Sequence, residues 1–200
     1  MSADDKTIAV YNAKAQDYAT HFNSGGTPGK HLNRFMDAVA DGGRVLDLGC
    51  GPANASRFMM EAGFDVDALD ASREMVRVAA EVNGVNARLG TFDDVTDVMV
   101  YDGVWANFSL LHALKDRLPT YLAALATALK PNGIFHIGMK VGDGMARDGL
   151  DRRYSYVQRD ELAGLLADAG LTVTATDEGH EVGLAGTNDP WVVMMARKNG

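Results

Sequence analysis

Apolar positions recur in two different rhythms along this 200-residue chain. Up to residue 40 they follow the spacing of amphipathic helices, which predicts one helix over residues 8–22 and a second over 31–40. Glycine, proline and serine between them predict a loop over 23–30. From residue 44 onward, short apolar runs alternate with helical stretches, and this pattern indicates repeated strand–helix units.

The alternating region predicts five strands, at 44–49, 65–70, 86–89, 101–107 and 133–141. Helices are predicted at 53–62, 72–82, 119–129 and 160–169. Two further strands, at 171–176 and 191–197, have no helix between them. Turn residues for a hairpin there are supplied by Gly179, Gly183, Gly186 and the run Asn188-Asp189-Pro190. We therefore expect an α/β fold, with a mostly parallel sheet covered by helices on both faces.

Composition narrows the class of protein. A hydrophobic content of 46% supports one folded core, and a net charge of −8 disfavours a grip on nucleic-acid phosphates. Cys50 is the only cysteine, so an internal disulfide and a cysteine-rich zinc site are excluded. No apolar run reaches the roughly 18 residues of a membrane span, and the polar N-terminus does not read as a signal peptide. We expect a cytoplasmic protein.

The segment VLDLGCGPAN, at 45–54, carries the strongest chemical signal. Gly49 and Gly51 follow an apolar strand and precede a helix, where glycine permits a tight turn and the close approach of a ligand. Asp47 would oppose a phosphate but suits a ligand with a positive group. Asn54 stands where the third small residue of a dinucleotide fingerprint belongs, which disfavours a nicotinamide-dependent oxidoreductase.

Asp70 ends the second predicted strand, and a carboxylate at this place can accept hydrogen bonds from both hydroxyls of a ribose. The plainer interpretation makes Asp70 the N-cap of the helix that begins near Ser72, but it leaves the spacing to the glycines unexplained. Together with Asp47 and the glycine loop, Asp70 favours a nucleoside ligand with a cationic group, such as S-adenosylmethionine.

VLDLGCGPA followed by DALDAS resembles the class I S-adenosylmethionine-dependent methyltransferases. YNAKAQDYATHF looks like that superfamily's N-terminal lid, GTFDDV like its adenine-binding segment, and YDGVWANFSLLHAL and LKPNGIFHIGMK like its fourth and fifth strands. The resemblance implies a single domain over 1–200, with a helical lid at 1–40 and an α/β core at 41–200. It implies a Rossmann-like, seven-stranded sheet with an antiparallel last strand, and S-adenosyl-L-methionine as cofactor.

The resemblance also implies roles for residues at the strand ends and on the lid. The implied cofactor-binding residues are Tyr11, Asp47, Gly49, Cys50, Gly51, Asp70, Ala71, Met75, Thr91, Phe92, Asn107 and Phe108. Asp47 would lie near the ammonium group, Tyr11 at the carboxylate, and Asn107 beneath the sulfonium. Thr91 replaces an acidic residue common in relatives, so its hydroxyl or Asp93 would meet the adenine amino group. We interpret the Cys50 thiol as packing rather than as a nucleophile.

Candidates for the transfer step follow the fourth and fifth strands. His112 would act as a general base or form part of the pocket wall, and Lys140 would face an anionic acceptor. The segment 142–157 overhangs the same edge, and its arginines either bind an acidic group or pair with neighbouring aspartates. The predicted catalytic residues are His112, Lys140 and Tyr154, and the predicted substrate-binding residues are Tyr18, Arg153 and Tyr156.

We expect methyl transfer to a small-molecule nucleophile. The alternatives are a tRNA or protein methyltransferase, and a non-catalytic protein that binds S-adenosylmethionine. The acidic composition disfavours tRNA. No histidine has a partner at metal-ligand spacing, so we predict no metal site. His136 is interpreted as structural, and Trp191, Met194 and Met195 as core residues of the last strand.

Overall fold

The computed structural model describes residues 4–22 and 26–200; residues 1–3 and 23–25, which include part of the predicted 23–30 loop, lie outside it. The helices are α1 (Asp5–Phe22), α2 (Lys30–Ala38), α3 (Asn54–Glu61), α4 (Arg73–Asn83), α5 (Leu118–Ala128) and α6 (Arg159–Asp168). The strands are β1 (Arg44–Leu48), β2 (Asp65–Asp70), β3 (Arg88–Leu89), β4 (Tyr101–Asn107), β5 (Leu129–Lys140), β6 (Met145–Arg147), β7 (Arg153–Ser155), β8 (Leu171–Val182) and β9 (Asn188–Lys198).

Seven strands form one sheet in the order β3-β2-β1-β4-β5-β9-β8. The pairs from β3 to β5 are parallel, and β9 runs antiparallel to both of its neighbours. The predicted Rossmann-like sheet with an antiparallel last strand is confirmed. Strand order reverses between β1 and β4, which opens a crevice at the carboxyl ends of these strands, where α/β proteins bind ligands.

Helices cover both faces of the sheet. On one face α2 and α3 pack on β1 and β4 through Phe35, Met59, Val45 and Trp105. On the other, leucines of α5 and α6 complete the larger core cluster. Gly103 of β4 lets α2 approach closely, because a Cβ atom there would lie 2.8 Å from Phe35 Cζ. The sheet therefore holds its strand ends in fixed positions beneath the crevice.

Helix α1 lies across the crevice and packs on α4. Ala15 and Ala19 of α1 are buried against Met75 and Val78 of α4, since their small side chains allow the two helices to come close. None of the helices in the described ranges is both long enough and apolar enough to cross a membrane. Helix α1 lies over the crevice, whereas α2, which also belongs to the implied lid of 1–40, packs on one face of the sheet.

The segment 142–157 contains a small hairpin that the sequence did not predict. Strands β6 and β7 pair antiparallel, with only three residues each. Asp148 closes the turn, because its carboxylate accepts hydrogen bonds from Leu150 N and Arg152 N, both at 3.0 Å. The N-terminus of α1 is tied to this hairpin through Asp4, which pairs with Arg147 at 2.8 Å.

The terminal hairpin differs from the prediction in length. Because β8 continues to Val182 and β9 starts at Asn188, Gly179 and the run 188–190 lie in strands rather than in the turn. The turn itself contains Gly183 and Gly186. Gly179 is needed for packing, since a Cβ atom there would lie 2.4 Å from Trp191 Cζ2 on the facing strand. The predicted turn was therefore wrong for Gly179 and 188–190.

Candidate functional site

A first cleft lies at the carboxyl ends of β1, β2 and β4, beneath α1, with an empty volume of about 820 Å³. Two of the predicted cofactor-binding residues, Asp47 and Cys50, do not line it. The others do, and they are Tyr11, Gly49, Gly51, Asp70, Ala71, Met75, Thr91, Phe92, Asn107 and Phe108. Sequence reasoning did not select Thr7, Ser72 or Ser109, which also line it.

The loop after β1 has the backbone conformation that glycine favours. Gly49 and Gly51 have φ angles of 71° and 55°, in the left-handed region. Gly49 N and Cys50 N both donate to Leu69 O, at 2.7 and 3.0 Å, which ties the loop to the end of β2. A Cβ atom on Gly49 would lie only 2.4 Å from Ser109 Cβ. The protein itself therefore requires glycine at 49, before any ligand is considered.

Asp70 joins the two loops that flank the first cleft. Its carboxylate accepts one hydrogen bond from Gly51 N and another from Ser72 N, each at 2.8 Å. Ser72, not Asp70, caps α4, because its hydroxyl accepts from Met75 N at 3.1 Å. Burial raises the pKa of Asp70. The remaining lone pairs of this carboxylate are available to hydroxyl donors in the cleft.

Asp47 lies behind the glycine loop rather than on the surface of the cleft. It is 3% exposed, and its carboxylate accepts a hydrogen bond from Ser56 Oγ at 2.6 Å. Burial raises its pKa to about 7. A role near the ammonium group of a ligand would have to act through the loop, because this side chain does not reach the cleft.

Cys50 packs beside small buried residues, among them Ala68 and Ala79. Burial raises the pKa of its thiol well above the ordinary value, so the thiol stays protonated at neutral pH. A thiolate is the reactive form of cysteine, and this environment disfavours it. The arrangement fits a small packing residue better than a nucleophile.

Thr91 and Phe92 form the far end of the first cleft. The Thr91 hydroxyl donates to Asp94 Oδ2 at 2.9 Å, within a reciprocal capping arrangement. Asp93, the alternative partner for an adenine amino group, does not line the cleft and pairs with Arg117 at 3.4 Å. The Thr91 oxygen can still accept a hydrogen bond, whereas Asp93 is directed elsewhere.

A second cleft, with an empty volume of about 930 Å³, adjoins the first. The two share a wall made of Tyr11, Tyr18, Asn107, Phe108 and His112. The structure brings the predicted His112, Lys140, Tyr154 and Tyr18 together in this second cleft. Arg153 and Tyr156 do not line this cleft. The Arg153 guanidinium donates a hydrogen bond to His112 O at 3.0 Å, and the Tyr156 ring stacks on that of Tyr154 with 6.2 Å between the ring centroids.

The β8–β9 hairpin also lines the second cleft, which the sequence pattern did not predict. Asp189 and Trp191 belong to the lining, as do residues 181–184 of the turn region. Trp191 is half-buried and contributes to the cleft, so its assignment to the core was wrong. The extra length of β8 and β9 carries these residues over the edge of the sheet.

His112 lies at the shared wall with both ring nitrogens engaged. Its Nδ1 is 2.6 Å from Arg153 O, and its Nε2 is 2.7 Å from Tyr11 Oη. A carbonyl oxygen can only accept, so Nδ1 carries the hydrogen and Nε2 accepts from the Tyr11 hydroxyl. Burial lowers the pKa of His112 to about 4. The imidazole is therefore neutral and directs its basic nitrogen at Tyr11.

The cations of the second cleft each have an acidic partner. Arg152, one of the arginines of segment 142–157, pairs with a neighbouring aspartate: it makes two hydrogen bonds to Asp148, at 2.9 and 2.6 Å. It makes a third to Tyr11 Oη at 3.2 Å. Lys140 pairs with Asp189 and lies 4.2 Å from the centre of the Tyr154 ring. Neither cation is free of a carboxylate.

His136 supports the end of β4. Its Nε2 lies 3.0 Å from Asn107 Oδ1, and its ring stacks on Trp105 at 3.6 Å. Burial lowers the pKa of His136 well below its ordinary value, so the ring is neutral and orients the Asn107 amide. Within residues 4–22 and 26–200, no three His, Cys, Asp or Glu side chains form a group that could hold a metal ion.

A family model described as a methyltransferase domain matches residues 21–176. Among curated proteins, a trans-aconitate 2-methyltransferase of Mycolicibacterium gilvum is 38% identical over 95 residues, which cover 46% of this chain and 36% of that protein. A malonyl-[acyl-carrier protein] O-methyltransferase of Pectobacterium atrosepticum is 32% identical over 112 residues, which cover 54% and 42%. Each match spans less than half of the relative's own length.

The solved structure of Burkholderia thailandensis 1,6-didemethyltoxoflavin-N1-methyltransferase, with bound 1,6-didemethyltoxoflavin and S-adenosylhomocysteine, has a TM-score of 0.70 and 24% identity. The likeness covers 100% of this chain and 92% of that one, and at this identity it shows a shared fold. The family model covers well over half of the chain. These findings confirm the resemblance inferred from the glycine loop and Asp70: the chain belongs to the methyltransferase-domain family, within the class I S-adenosylmethionine-dependent superfamily.

Proposed function

We propose that this protein transfers a methyl group from S-adenosylmethionine to a small-molecule acceptor. The first cleft is the donor cleft, and the second is the acceptor cleft. The observation that carries the proposal is the shared wall: Tyr11, Asn107 and Phe108 line both clefts, so two ligands would meet there. Methyl transfer needs such a meeting point, because the donor carbon and the acceptor atom have to be held in line.

The residues of the donor cleft fit the parts of the cofactor. Asp70 would accept from the ribose hydroxyls, while Met75 and Phe92 would pack beside the adenine. Gly49 and Gly51 would leave room for the methionine part. Ser109 is almost wholly buried, lines this cleft and has an oxygen without a hydrogen-bond partner among the described residues. When bound, the cofactor supplies an activated methyl group on a positive sulfur.

The protein's own contribution would be to position the acceptor and to exclude water. Helix α1 closes over both clefts, which would keep water from the reacting atoms. His112 is the candidate base at the shared wall, with Tyr11 on its basic nitrogen. Lys140 and Tyr154 would position the acceptor, and Arg153 would act on His112 by holding its backbone carbonyl.

Isothermal titration calorimetry tests the donor assignment. We expect S-adenosylmethionine and S-adenosylhomocysteine to bind, and NAD not to bind. Tight binding of NAD without binding of either adenosyl ligand would refute the proposal.

A second assay addresses the acceptor class. The protein is incubated with labelled S-adenosylmethionine and a cell extract, with and without nuclease and protease treatment. Label in the small-molecule fraction that survives both treatments supports a small-molecule acceptor. Label that is lost with nuclease or protease would instead favour the tRNA or protein alternative. A cytoplasmic location stays a prediction from the sequence.

A further inference from the structure

Both cations that line the acceptor cleft are held in ion pairs. Lys140 and Asp189 form an ion pair with side chains 14% and 25% exposed, and Arg152 and Asp148 form another with side chains 3% and 7% exposed. Glu181 adds an exposed carboxylate at the rim. Among the described residues that line this cleft, both cations, Lys140 and Arg152, have a carboxylate partner. An anionic acceptor would have to break one of these pairs to gain a positive charge.

The rings along the cleft form a continuous aromatic wall. Ring centroids lie 5.8 Å apart for Tyr18 and Tyr11, 5.4 Å for Tyr11 and His112, and 4.8 Å for His112 and Tyr154. Trp191 also contributes to the cleft. Such rings favour flat, unsaturated ligands, which stack on them or meet them edge to face.

We infer that the methyl acceptor is an uncharged aromatic small molecule. The inference rests on the proposed function and narrows it, because it assigns a substrate class to the acceptor cleft. A carboxylate acceptor would be expected to pair with an unpaired cation in the cleft, whereas Lys140 is already paired with Asp189. The Lys140–Asp189 pair then disfavours anions. Half-buried rings of the lining provide the binding energy, and they belong to Tyr11, Tyr18, His112 and Trp191.

Binding of two matched probes tests the inference. The full chain is saturated with S-adenosylhomocysteine and titrated by calorimetry at pH 7 with 2-naphthol, which is uncharged, and with 2-naphthoate, which is an anion of similar size. We expect 2-naphthol to bind at least about tenfold more tightly, since the anion loses its hydration without gaining a free cation. Equal or tighter binding of 2-naphthoate overturns the inference, and so does the failure of both probes to bind.

A charge-removing variant tests the cause. Asp189→Asn leaves Lys140 without its carboxylate, so we expect affinity for 2-naphthoate to rise about tenfold while affinity for 2-naphthol changes less than about threefold. Asp168→Asn, on the exposed end of α6, is the matched control and should change neither. Unchanged 2-naphthoate affinity in Asp189→Asn overturns the assigned role of the ion pair.

The two proposals fail in different ways. S-adenosylhomocysteine binding is measured first, in the wild type and in each variant, and it also shows that each variant is folded. If the wild-type protein does not bind it, the proposed function fails, and the acceptor class falls with it. If it binds and the naphthyl probes behave contrary to expectation, the acceptor class alone is wrong.

Discussion

Replacing Gly49 with alanine should destabilise the protein even without ligand. The φ angle of 71° costs an alanine roughly 1–2 kcal/mol. The added Cβ would also lie 2.4 Å from Ser109 Cβ, and relieving an overpacked contact typically costs about 1–3 kcal/mol. We therefore expect Gly49→Ala to lower the free energy of unfolding by roughly 2–5 kcal/mol.

Gly51 provides a matched control in the same loop. Its φ angle is 55°, but the nearest atom to an added Cβ is Tyr18 Cε1 at 3.9 Å, an ordinary contact. Gly51→Ala should therefore lose only the conformational part, about 1–2 kcal/mol. Urea denaturation of the unliganded variants, followed by circular dichroism, gives both values.

The double variant Gly49→Ala/Ser109→Gly removes the collision and keeps the unfavourable φ angle. After the effect of Ser109→Gly alone is subtracted, the double variant should regain the part of the unfolding free energy that Gly49→Ala loses beyond the loss of Gly51→Ala. Equal losses for the two glycine variants, or no recovery in the double variant, would show that the contact with Ser109 does not require glycine at 49.

Three further substitutions examine the donor cleft and its lid. Asp70→Ala should weaken S-adenosylhomocysteine binding by about 10- to 150-fold in calorimetry, because a charge-assisted pair of contacts is lost; unchanged affinity would remove Asp70 from the ribose site. Arg147→Met breaks the exposed pair with Asp4, so the same ligand should dissociate roughly two- to fivefold faster in stopped-flow measurements, and an unchanged rate would show that this pair does not hold the lid. Burial raises the pKa of Asp47 to about 7, so between about pH 4 and 7 this carboxyl is neutral in the folded protein and charged in the unfolded chain. The free energy of unfolding should therefore fall as pH rises through that window, by up to about 1.4 kcal/mol per pH unit. Asp47→Asn should flatten the dependence of the unfolding free energy on pH in this window, as measured by urea denaturation at a series of pH values. An unchanged pH dependence would contradict the raised pKa of Asp47.

The donor cleft was largely predictable because its residues follow regular strands. Alternating apolar runs placed β1, β2 and β4 correctly, and parallel strands bring their carboxyl ends to one edge. Gly49 and Asp70 could then be assigned from position alone. The direction in which a side chain points was not predictable, and Asp47 turns away from the cleft because Ser56 offers a buried hydrogen bond.

The acceptor cleft was less predictable because it depends on contacts between distant segments. Strands β6 and β7 are too short to give a periodic signal, and the extension of β8 and β9 is masked by glycines that also suit a turn. The sequence suggested Lys140 as a free cation, but its partner Asp189 is remote in the chain and comes close only through the pairing of β5 with β9.

The wall that separates the two clefts is formed partly by α1. Tyr11 and Tyr18 of α1 line both clefts, and the Tyr11 hydroxyl also donates a hydrogen bond to His112. Any outward movement of α1 that admits the donor would also withdraw Tyr11 and Tyr18 from the acceptor cleft. An outward movement of α1 would therefore open both clefts together. The order in which the two ligands bind and leave would then depend on this one helix.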